Sequence, residues 1–211
     1  MRAAHRIFGV VLLAGVFGLG SARAETAGAR ELIQQTVDEV IAVLQNAELD
    51  DAQRRERIEA IAYDRFHFET MSRLVLARRW RRFSEPQREA FMVEFRELLS
   101  RSYGRRINRY EQEAVEIGGE RAEARGDVTV FTRIIGGSAD GVEINYRLRQ
   151  KGESWGIIDV VVEGVSLVSN YRSQFAELLG NASPDDLLRK LREKNSAGEE
   201  VVDTAVANEA S

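Results

Sequence analysis

The sequence predicts an α+β domain: a run of helices, a four-stranded antiparallel sheet, then two closing helices. Three observations carry this. Apolar residues recur at helical spacing from about Ala29 to Tyr110. From Glu113 to Val162 the period shortens to two, and short polar turns join the segments, so neighbouring strands must be antiparallel. After Gly164 the helical period returns.

Taken in order, the first residues read as an export signal. Arg2, His5 and Arg6 precede a 14-residue apolar run from Ile7 to Gly20, and Ala22-Arg23-Ala24 gives a signal-peptidase pattern. Residues 1–24 are therefore expected to be a signal peptide cleaved after Ala24, with 25–195 as one domain and 196–211 as a disordered acidic tail. The run is too short to span a bilayer. From Ala29 to Asn46, Leu32 or Ile33, Val37, Val40 or Ile41, and Leu44 share one face. Asp50 or Asp51 caps a second helix ending near Ala62, with Arg54, Arg55 and Arg57 outward, and Asp64 caps a third rich in bulky apolar residues. Ser84-Glu85-Pro86-Gln87 starts a long helix of about 27 residues, roughly 40 Å. Arg101, Arg105 and Arg109 stack on its outer face, a pattern that fits a solvated face or a docking surface.

The strands follow at Ala114–Gly119, Asp127–Ile135, Val142–Arg149 and Trp155–Val162. The last is nearly all β-branched and apolar, so it should be covered on both faces, with Asp159 its one carboxylate. Past Gly164, the residues Val165, Val168, Phe175, Leu178 and Leu179 keep helical spacing, and Ser183-Pro184 opens a last helix carrying Leu187, Leu188 and Leu191.

Composition removes most catalytic readings. The 211 residues include no cysteine and two histidines, one of them in the export segment, which leaves His67. Thiol chemistry and sulfur metal sites are thus absent, and no glycine-rich phosphate loop, nucleophile elbow or metal-ligand spacing appears. No cofactor is expected. The formal charge is −4, and loss of Arg2, Arg6 and Arg23 with the signal makes it −7, a poor surface for nucleic acid. His67 is a candidate general base with Asp159 or Glu69 as orienter, although a histidine between two phenylalanines is more often a partly buried structural residue. Asp159 within an apolar strand must be paired or hydrogen-bonded, which makes it an anchor before it is a catalyst. Phe66, Phe68, Met71, Phe91, Phe95, Tyr103, Tyr146, Tyr171 and Phe175 come from several elements and are expected to share one interior. They fill a core, or they wall a cavity.

Phe66 with Phe68, then Met71, Leu76, Trp80, Ser84, Gln87-Arg88, Phe91, Phe95, Leu98-Leu99 and Tyr103 resemble the pattern of the MlaC, or toluene-tolerance, family of periplasmic phospholipid-binding proteins. Trp155, Asp159, Glu163-Gly164-Val165-Ser166-Leu167 and Asn170-Tyr171-Arg172-Ser173-Gln174-Phe175 match it more closely. Ala77 departs from it, standing where the family has a glycine. The resemblance implies a nuclear-transport-factor-like cone with added helices around an apolar cavity, and a periplasmic monomer that carries glycerophospholipid. Its implied partners are an inner-membrane ABC transporter complex with an MCE-domain subunit and an outer-membrane lipoprotein complex. A relative of the same fold with hopanoid or sterol cargo is the near alternative; an enzyme on the cone fold using Asp159 or His67 is the distant one.

If the cargo is a two-chain lipid, roughly 20 kcal/mol of apolar transfer must be replaced when it leaves a bilayer, so the tails need enclosure. Inward faces assign the lining to Phe68, Met71, Leu74, Val75, Phe91, Phe95, Leu98, Tyr103, Tyr146, Val160 and Val162, and the resemblance adds Val165, Leu167 and Tyr171.

Overall fold

The computed structural model describes residues 19–107 and 112–197, without the side chains of 19–25, 27 and 105–107. Residues 1–18 of the expected signal, 108–111 with Arg109, and 198–211 of the expected tail lie outside the described residues. Six helices and one sheet result. Helix α1 (Leu19–Gln45) is already helical at the first described residue, ten residues before the predicted start. Helix α2 (Asp51–Arg65) opens on a reciprocal capping box: the Gln53 N–H donates to Asp50 at 2.8 Å, and the Asp50 N–H donates to the Gln53 side chain at 3.1 Å. Arg54 is not turned outward as expected. It folds back to donate to the carbonyls of Asn46 and Leu49 in the turn after α1.

Asp64 does not cap a third helix, because α2 runs on through it to Arg65, held to α1 by an Arg65–Glu39 ion pair at 2.7 Å. Helix α3 (Phe68–Leu76) starts instead after His67, with no side-chain cap. The His67 N–H goes to the Ile157 carbonyl at 2.8 Å, so the chain is pinned to the sheet before it turns helical. A 3₁₀ turn (Ala77–Arg82) leads to α4 (Glu85–Ile107), where the Ser84 N–H donates to Gln87 as the start motif requires. Helix α4 is helical through Ile107, and the remainder of the expected 27-residue helix lies outside the described residues.

The sheet is an antiparallel meander of β1 (Ala114–Ala122), β2 (Val128–Ile135), β3 (Ile144–Lys151), β4 (Ser154–Val162) and β5 (Val165–Ser166). It has five strands, not four. The sequence hides the fifth because Glu163 and Gly164, both at positive φ, make a two-residue hairpin turn, after which Val165 pairs with Val162 for only two residues. Val165, expected on the helix, therefore sits on a strand. Helix α5 (Leu167–Leu178) follows at once with Ser166 as N-cap, and α6 (Pro184–Ala197) is capped by Ser183 and Asp186.

Two bulges set how the layers meet. In β1 the pairing skips between Ile117 and Glu120, where Gly118 and Gly119 fall. Arg30 of α1 donates to the Gly118 and Ile117 carbonyls freed there. In β4 the register shifts at Ile158, so Ile157 and Val160, three apart, both pack in the sheet–α1 cluster. Helix α1 lies on that face, with Ala29 and Ile33 fully buried and Gly28 so close to Trp155 that a Cβ would stand 2.9 Å from its indole nitrogen.

The apolar interior is divided. One cluster is helical: Met71, Val75 and Leu76 of α3, Phe83, then Phe91, Phe95 and Leu98 of α4, Val168, Tyr171 and Phe175 of α5, Leu179, and three leucines of α6. The other joins α1 to the sheet through Ala29, Ile33, Val128, Val130, Leu148, Ile157, Val160 and Leu167. The bulky residues thus do not share one interior. Helices α3 to α6 close a core among themselves, while α1 covers one sheet face together with Leu167 of α5.

Candidate functional site

The fourteen candidate lining residues fall on both sides of that division. Met71, Val75, Phe91, Phe95, Leu98 and Tyr171 are buried in the helical cluster, with Phe68 and Leu74 packed at its margin. Val160 and Leu167 are buried in the sheet–α1 cluster, with Tyr146 and Val162 at its margin. Tyr103 packs against both, and so does Phe66, which was not among the candidates. Val165 is half-buried on β5, outside both clusters. Phe66 and Tyr103 therefore mark the seam where helices meet sheet. Spacing could not single out Phe66, because it lies in the link between two helices and has no periodic neighbours.

The helical side of the seam is stiffly packed. Phe91 meets Phe175 edge-on at 5.4 Å between centroids, and Phe95 meets Tyr171 in the same way at 5.4 Å. On the sheet side, burial pushes the Tyr146 phenol up to about 12, so it stays protonated at any physiological pH. Two concavities open on the surface away from the seam. One, of about 520 Å³, is lined by Leu44, Gln45, Ala47 and Gln112; the other, of about 320 Å³, lies between Arg78, Arg79, Arg82, Leu179 and Gly180.

Of the two polar candidates, Asp159 has hydrogen-bond partners, whereas the His67 Nδ1 is buried without one among the described residues. Asp159 is 2% exposed, and both its oxygens are engaged at the start of α5. The Ser166 hydroxyl donates to it at 2.6 Å and the Val168 N–H at 3.0 Å, while Ser166 accepts from the Ser169 N–H at 3.0 Å. A carboxylate at a helix N-terminus faces the positive end of the helix dipole and takes up otherwise unpaired N–H groups. Asp159 positions α5. His67 lies over Gly156, and its pKa is lowered, first by burial and then by the positive charges of Lys151 and Arg149, against which Glu69 acts. It does not meet Asp159 in any hydrogen bond described. Of the arginine stripe, Arg101 pairs with Glu97 at 2.6 Å, and the rest lies beyond the described side chains.

Fold and site together define an α+β domain in which a helical cluster and a sheet-borne cluster meet at an aromatic seam. The chain belongs to the MlaC family, whose profile, described as MlaC protein, matches residues 34–193. Among curated relatives it is similar to the toluene tolerance protein ttg2D of Pseudomonas putida, 22% identical over 110 residues that make up 52% of this chain and 51% of that protein. It is also similar to the intermembrane phospholipid transport system binding protein MlaC of Haemophilus influenzae, 25% identical over 128 residues, 58% of this chain and 59% of that one. The matched stretch thus spans little more than half of these relatives. Among solved structures, a phospholipid-binding protein from Ralstonia solanacearum in complex with a phospholipid superposes with a TM-score of 0.72 at 22% identity, over 81% of this chain and 98% of that chain. That likeness establishes the shared fold.

Proposed function

We propose that this chain is a periplasmic phospholipid-binding protein that carries glycerophospholipids between an inner-membrane MCE-domain ABC transporter complex and an outer-membrane lipoprotein complex, and so serves outer-membrane lipid asymmetry. The observation that carries the reading is the seam: two apolar clusters, one helical and one sheet-borne, joined through Phe66 and Tyr103 in a chain of the MlaC family. The names of its relatives, a phospholipid transport binding protein and a phospholipid-binding protein with lipid bound, agree with it. The export signal expected at residues 1–24 supports the compartment, and among the described residues no helix is long and apolar enough to cross a membrane.

In this reading the tails lodge between the sheet and the helices, lined by the candidate residues, while the headgroup stays wet at the mouth. Because those residues are close-packed, loading requires the clusters to part along the seam, and the tails then take the place of the apolar side chains that have moved apart. No residue is assigned to catalysis. Binding is symmetric, so the direction of transfer belongs to the partners and their energy source.

The test is lipid extraction of protein purified from the periplasm, followed by mass spectrometry. Glycerophospholipid is expected. A hopanoid or sterol would move the chain to the alternative cargo, and protein that is lipid-free and takes up nothing from vesicles would overturn the proposal.

A further inference from the structure

We propose that the arginine-walled concavity between the 3₁₀ turn Ala77–Arg82 and the end of α5 is a docking site for an acidic, Asp/Glu-bearing segment of a protein partner. The walls are Arg78, Arg79 and Arg82 with Leu179 and Gly180, and among the described residues no carboxylate lines the space. Two of the guanidinium groups are held in place. Arg79 donates to the Ala176 carbonyl at 3.1 Å, and Arg82 donates to Leu179 and Ala182 at 3.2 and 3.1 Å. These bonds cap the C-terminal end of α5, as cations near a helix C-terminus commonly do.

Capping leaves donors unused. A guanidinium has five N–H groups in a rigid fork; Arg82 spends two on carbonyls and Arg79 one. The forks stay fixed with donors to spare, which lowers the ordering cost of gripping a carboxylate. Arg78, also in the wall, and the exposed Arg81 beside it enter no described ion pair. The surrounding arginines are already committed: Arg73 and Arg88 lie against Trp80 at 5.9 and 5.1 Å and pair with Glu69 and Glu85. Positive charge is therefore concentrated on one concave spot of a chain whose formal charge is −4.

That contrast selects the occupant. A flat anionic bilayer meets the whole face of the protein and feels its net negative charge, whereas an acidic segment enters the concavity and feels mainly the nearby guanidinium groups. Bidentate arginine–carboxylate pairing gives such a segment both grip and register.

The experiment uses the full chain and a short fluorescein-labelled peptide rich in Glu and Asp, read by fluorescence anisotropy. Binding is expected at about 20 mM salt and largely lost at about 300 mM. Arg78→Glu and Arg81→Glu, which break no described contact, are each expected to weaken binding about tenfold with an unchanged melting temperature. Arg57→Glu, on the exposed face of α2, is the control and leaves binding intact. The proposal is overturned if the peptide does not bind at low salt, or if the Arg57 variant weakens binding as much as the other two. It is equally overturned if anionic phosphatidylglycerol vesicles bind through Arg78 and Arg81 and the peptide does not compete. Lipid content of the variants, measured in parallel, stays at the wild-type level, which keeps this outcome separate from that of the cargo proposal.

Discussion

The imidazole of His67 occupies the space that a Cβ would take at Gly156. This contact, beside the bond from the His67 N–H to Ile157, fixes the link between α2 and α3 against β4. Gly156→Ala is expected to force the ring out and destabilise the fold by about 1–3 kcal/mol. In the double variant with His67→Ala much of that loss should return, since the vacated ring leaves room for the methyl group. Urea unfolding of the four proteins checks this, and simple additivity would show that the two residues are not coupled.

His67 should also make stability depend on pH. Its folded-state pKa lies below the ordinary value of 6.5, so the unfolded chain takes up the proton first. The stability this residue contributes is present above about pH 6.5, falls as pH drops below that, and levels off beneath the folded-state value. In His67→Gln the decline between about pH 7 and 5 should be shallower than in the wild type. Parallel curves from denaturant titrations at several pH values would remove His67 as the cause.

Asp159 holds the first turn of α5 through Ser166 and the Val168 N–H. Replacement by Asn keeps the shape but removes the charge from the helix N-terminus, and one amide group must face a donor. A loss of about 1–2 kcal/mol is expected, a few degrees in melting temperature. Ala should cost more, because a buried N–H then has no acceptor. Calorimetric scans of both variants provide the measurement.

Ala77 has φ 48° and ψ −127°, a conformation that side chains avoid and glycine accepts. The residue is exposed, so trimming its methyl group removes no core packing. Relief of strain exceeds the added freedom of the unfolded chain, and Ala77→Gly is expected to stabilise the protein by about 0.5–2 kcal/mol. A lower urea midpoint in the variant would contradict this.

Val165, half-buried on β5 beside the start of α5, belongs to neither packed cluster. A charge placed there disturbs little of the core but, in the proposed lipid-binding role, would stand against the tails. Val165→Glu should fold with near-native stability and lose retained lipid, as measured by extraction and mass spectrometry. Undiminished loading would take Val165 out of the lining.

Much of this protein is determined by local chemistry that can be read along the chain. The α+β class follows from a helical period that gives way to an alternating one and then returns. The starts of α2, α4 and α6 follow from Asp50, Ser84 and Ser183, whose side chains or neighbours close capping bonds within a single turn. Asp159 could be read as an anchor because a buried carboxylate must be satisfied. Other features depend on partners distant in sequence. The start of α3 is set by a bond from His67 to Ile157 across the fold, so Asp64 could not mark it. The fifth strand exists because Val161 and Val162 offer it an edge, and two residues are too few to show a period. The bulge at Ile158 turns Ile157 and Val160 to one face, and the helices close a core of their own. That is why most candidate lining residues divide between two clusters, with Tyr103 touching both and Val165 neither. Periodicity identifies which side of an element is apolar; only the packing of the elements decides what that side meets.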